Sequence, residues 1–119
     1  MTASKTKPTT AEPSAVDPQV LADIVHRVVE VVAPEKIYLF GSAARGEMGP
    51  NSDVDLLIVK KGGGDRLELM GEIYMNLFGV GAAVDAIVVT PADVERYRNS
   101  QGLVIKPAVE EGRLVYEAR

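Results

Sequence analysis

From Asp17 onward the chain alternates between two apolar rhythms. Val20, Leu21, Ile24, Val28 and Val32 recur at helical spacing. Asp17 suits the N-cap and Pro18 the first turn, so a first helix is predicted from there to about residue 33, where Pro34 stops it. Lys36-Ile37-Tyr38-Leu39-Phe40 is short and β-prone and predicts strand 1. Residues 41–52 have a loop composition with a helical turn around 43–45, and Asp53 to Val59 then reads as a buried strand 2. Lys60-Lys61-Gly62-Gly63-Gly64 reads as an exposed turn. Leu67, Met70, Ile73, Tyr74 and Leu77 mark an amphipathic second helix over 65–77. Residues 83–89 predict strand 3, and Thr90-Pro91 caps a short helix through Arg98. A further helix over 101–111 ends at Gly112, and Leu114 to Tyr116 predicts a last strand. This order makes an α/β class, a small mixed β-sheet flanked by helices. Tyr74, Phe78 and Tyr116 fit either the core or an interface, the core being preferred, and His26, off the first helix's stripe, is read as a solvated surface residue.

Residues 1–16 are Thr, Ala, Ser and Pro with almost no large apolar side chain, and are read as a disordered N-terminal arm before a domain over 17–119. At 119 residues the chain has room for one compact domain. The absence of cysteine excludes disulfides and thiolate sites, and a single histidine excludes a multi-histidine zinc site. A formal net charge of -4 is the wrong sign for adhesion to long nucleic acid. No apolar run approaches the ~20 residues of a membrane span, and the first residues lack the apolar centre of a secretory signal. A cytoplasmic protein is expected.

Three acids interrupt the apolar strands. Asp53 and Asp55 open strand 2 on one face, about 7 Å apart along the chain, and Asp85 breaks strand 3. Carboxylates in a sheet interior need compensation. Few cations lie nearby in the sequence, so a divalent ion is an economical counter-charge, and oxygen donors alone favour Mg²⁺ or Mn²⁺ over zinc. Strand 1 is followed by Gly41-Ser42-Ala43-Ala44-Arg45-Gly46. Gly41 allows close approach to an anion, Ser42 offers a hydroxyl, and amides opening a helical turn favour phosphate. The lysine of a Walker A loop is missing.

Gly41-Ser42, ten residues, then Asp53-Val54-Asp55 resembles the signature of the DNA polymerase β-type nucleotidyltransferase superfamily. The text from Leu39 to Gly46, from Ser52 to Leu56 and from Glu111 to Glu117 looks like its minimal nucleotidyltransferase subgroup, over residues 18–118. The resemblance implies a polymerase β-like fold, with Asp53, Asp55 and Asp85 as the catalytic, metal-binding carboxylates. Gly41 and Ser42 would then form the nucleotide-phosphate loop, with Arg45 in reach of the triphosphate. Two Mg²⁺ ions would assist transfer of a nucleoside monophosphate from a triphosphate, with Asp85 as general base. Members of this subgroup commonly act as antitoxins to HEPN-domain RNases, some by moving AMP from ATP to a tyrosine of the toxin. A hetero-oligomeric protein adenylyltransferase is therefore expected. A transferase for small-molecule hydroxyls and an antitoxin that works by binding alone are the alternatives.

Overall fold

The computed structural model describes residues 17–41, 44, 53–62, 64–97 and 105–118. Helix α1 (Pro18–Val32) opens where expected: the Asp17 side chain accepts from the Gln19 N–H, and Pro18 fills the first turn. It ends at Ala33 in the left-handed conformation, φ 47°. Lys60 Nζ donates to the Ala33 carbonyl at 3.4 Å, and the backbone N–H of Lys61 donates to a Glu35 carboxylate oxygen, so the Lys60 side chain and the Lys61 backbone serve the chain's own turns.

Strands β1 (Lys36–Phe40), β2 (Val54–Val59), β3 (Val84–Val89) and β4 (Arg113–Glu117) form one mixed sheet in the order β3-β2-β1-β4. β1 runs antiparallel to β2 and to β4, whereas β2 and β3 are parallel and joined through α2 (Arg66–Asn76). Helices α3 (Pro91–Tyr97) and α4 (Ile105–Glu111) link β3 to β4. The arm, most of the 43–45 turn, Gly63 and the start of the helix expected from residue 101 lie outside the described residues.

Alternation along the central strands divides the interior. Val54, Leu56 and Ile58 face one core with Ile24 and Val28 of α1 and Ile73 of α2. Leu57 and Val59 face a smaller core with Val94 and Tyr97 of α3 and Ile105 and Ala108 of α4. β2 is buried on both faces, which accounts for its apolar run. Gly112 is required by the close approach of α4 to β1: a Cβ there would lie 2.6 Å from the Leu39 carbonyl oxygen.

The second helix departs from the expected stripe. Ile73 and Leu77 are buried, but Leu67 is 77% exposed, Tyr74 39% and Phe78 89%. Reading Tyr74 and Phe78 as core is corrected: Tyr74 is turned about 100° around α2 from Ile73, as Leu67 is by about 120°, and Phe78 lies past the end of the helix. Tyr116 does pack partly buried against the larger core.

Candidate active site

The strand register assembles one end of the sheet. Phe40 of β1 pairs with Asp55 of β2, and Asp55 pairs with Asp85 of β3. These three therefore form a row on the face of the smaller core, next to the apolar row of Tyr38, Leu57 and Ile87. Two opposed residues of neighbouring strands stand about 5 Å apart. Asp53 lies one residue before β2, and alternation places it on the same side as Asp55. A backbone bond at 2.7 Å from the Val54 N–H to the Ala83 carbonyl ties the two strand starts together.

Gly41 follows β1 directly with φ 71°, a conformation that L side chains rarely adopt. A Cβ at this position would run into Oδ2 of Asp55. Glycine therefore brings bare backbone against the central carboxylate. Ser42 and Arg45, the other two residues expected to meet the triphosphate, lie outside the described residues.

Asp53 and Asp85 are exposed and Asp55 is half-buried, and no described charged residue is buried. The argument from acids desolvated within a sheet is corrected accordingly. The strands begin at the sheet's open end, so water reaches two of the three carboxylates. What singles them out is position: Asp55 and Asp85 are opposed across the parallel pair, and Asp53 stands two residues before Asp55. Among the described residues no three His, Cys, Asp or Glu side chains are drawn together closely enough to hold a metal ion. The donor chemistry nevertheless fits a hard divalent cation: oxygen ligands on opposed residues, with a side-chain-free cradle at Gly41.

Tyr74 was not legible as part of this site. β3 is an edge strand, and the Tyr74 hydroxyl accepts from the outward N–H of Ala86 at 2.8 Å. The same oxygen lies 3.4 Å from Oδ1 of Asp85, to which it donates. The contact joins an outer turn of α2 to the sheet edge, so nothing in local sequence spacing announces it.

The profile of a nucleotidyltransferase domain matches residues 21–115. The chain is also similar to the crystal structure of a candidate nucleotidyltransferase from Sulfolobus solfataricus, at 26% identity and a TM-score of 0.58. That likeness covers 83% of this chain and 78% of the other. No curated protein matches.

Proposed function

The chain belongs to the nucleotidyltransferase domain family, and from the acids at the head of β2 and β3 we propose that it transfers a nucleoside monophosphate, AMP from ATP, to a hydroxyl of a partner protein. The observation that carries this reading is the opposition of Asp55 and Asp85, with Gly41 closed against Asp55. Asp53, Asp55 and Asp85 would hold divalent metal, Mg²⁺ or Mn²⁺. When bound, such ions offset the charge of the triphosphate and of the departing pyrophosphate. Asp85 takes the proton of the attacking hydroxyl as its oxygen bonds to the α-phosphorus and the bond to pyrophosphate breaks. Gly41 admits the triphosphate close to the backbone, and Ser42 and Arg45 supply donors to it. No side chain of this chain has to form a covalent intermediate.

The acceptor is read as a protein because the chain is acidic. A chain with a formal net charge of -4 has the wrong sign with which to grip a nucleic acid. The partner proposed is a HEPN-type RNase toxin, silenced by the modification in an antitoxin complex.

The test uses α-labelled ATP and Mg²⁺ with a lysate of the source cell, wild type beside Asp53→Ala/Asp55→Ala. A labelled protein band seen with wild type alone is expected, and its mass identifies the acceptor. Pyrophosphate release without a labelled protein would replace this reading with a small-molecule or RNA acceptor. No transfer of any kind would leave an antitoxin that acts by binding.

A further inference from the structure

Helix α2 is apolar on two sides. Ile73 and Leu77 enter the core, while Leu67, Gly71, Tyr74 and Met75 occupy a separate arc of about 100° at 3.6 residues per turn, and Phe78 follows just past the helix end. Leu67 is 77% exposed, Met75 81% and Phe78 89%, so among the described residues nothing covers these three side chains. Apolar residues scattered singly on a surface are ordinary, whereas a contiguous stripe with a polar border marks an interaction face. Beside the stripe, between α1 and α2, runs a shallow groove of about 600 Å³ lined by Val31, Glu68, Gly71, Glu72, Met75 and Asn76. Its charged residues are both acids, and neither has an ion pair among the described residues.

We propose that the outer face of α2 docks the acceptor protein, through an apolar helix of that protein flanked by lysine or arginine. This rests on the reading of the chain as a transferase that modifies a protein. A groove between two helices receives the side-chain ridge of a third. Glu68 and Glu72 select cations along its border. A second copy of this chain suits the face poorly. Two-fold apposition of α2 sets Glu68 and Glu72 against themselves, and each copy adds a net charge of -4. The face also adjoins the reacting end of the sheet: Tyr74 belongs to the stripe, and its hydroxyl touches Asp85. A protein seated on α2 thus stands one side chain away from the proposed proton acceptor.

The experiment compares wild type, Met75→Glu/Phe78→Glu and Glu68→Lys/Glu72→Lys in the α-labelled ATP reaction with source-cell lysate. ATP binding, thermal unfolding and sedimentation are measured on each purified protein. All four positions are exposed and outside the site, so ATP affinity is expected within twofold of wild type. Labelling of the acceptor band is expected to slow at least tenfold in both double variants. Labelling at the wild-type rate by both would overturn the docking face and leave the protein-modifying reading standing. Pyrophosphate release by wild type without any labelled protein would overturn that reading, and the docking face with it. A wild-type dimer that Met75→Glu/Phe78→Glu dissociates with labelling unchanged would assign the face to a second copy and overturn the proposal.

Discussion

At Gly41 two demands meet on one Cα. The backbone needs φ 71°, which costs a residue with a Cβ about 1–2 kcal/mol, and the Asp55 carboxylate occupies the place that Cβ would take. Gly41→Ala should therefore push Asp55 aside without unfolding the domain. Misplacing a reacting group by about 1 Å can cost about a hundredfold in rate, and a loss of that order is expected in pyrophosphate release, with far-UV circular dichroism unchanged. Asp85 differs in kind, since its proposed role is to take a proton. Asp85→Ala should lower kcat by about 10²–10⁴ and leave the KM for ATP within a few-fold. A variant in which KM rises while kcat holds would make Asp85 a binding residue instead. Asp53→Ala and Asp55→Ala should each abolish transfer, and full activity without both acids would remove the metal-binding assignment.

Among the elements, α3 shows most directly how a local motif sets a boundary. The Asp93 N–H donates to the Thr90 hydroxyl at 3.0 Å and the Thr90 N–H donates to an Asp93 carboxylate oxygen at 3.0 Å, a reciprocal capping box. Thr90→Ala should cost about 1 kcal/mol, read as a lower midpoint in urea. The Thr90 backbone N–H is the main cause that holds the Asp93 carboxyl below the usual carboxylate range. The Thr90 hydroxyl, Arg66 and Arg96 act in the same direction, and partial burial opposes them. A lowered folded-state pKa means that the ionised carboxylate stabilises the fold above the unfolded value of about 3.9, and that this contribution is lost as pH falls through the lowered value. The stability gap between wild type and Asp93→Asn should thus be full at neutral pH and close on acidification below about pH 4; a gap independent of pH would contradict the assignment.

Such caps are why so much of the fold was legible. Asp17-Pro18 and Thr90-Pro91 announce helix starts, and the runs at 36–40, 54–59 and 84–89 can satisfy their apolar pattern only as strands. What stayed hidden is long-range. The register that sets Asp55 beside Asp85, and the reach of Tyr74 to the Ala86 N–H, join residues whose separation carries no periodic signal. The α2 stripe misled for a related reason. Leu67 and Tyr74 are apolar at helical spacing, but spacing alone does not say which of two apolar faces meets the core.

Over the whole molecule, the sheet separates a larger core under α1 and α2 from a smaller one under α3 and α4. Both edges of the sheet are blunted. The Tyr74 hydroxyl occupies an outward N–H of β3, and a register shift opposite Ile37 and Tyr38 leaves Val115 as an extra residue in β4. The candidate site belongs to the smaller core, because Asp55 and Asp85 share a face with Leu57 and Ile87. Leu56 and Leu57 are adjacent, equally inaccessible to solvent and pointed into different cores, so they make a matched pair. Replacing either by alanine should cost about 2–5 kcal/mol, a large part of the roughly 5–15 kcal/mol typical of a domain. Their effects on catalysis should diverge. The cavity left by Leu57→Ala opens beneath the row that carries Asp55 and Asp85, whereas that left by Leu56→Ala opens under α1 and α2. At a temperature where both variants remain folded, Leu57→Ala should lower kcat about tenfold further than Leu56→Ala, as expected when a reacting group loses its support. Equal kcat values at equal folded fraction would mean that the carboxylates are held from the strand ends and Gly41 alone, with no help from the core behind them.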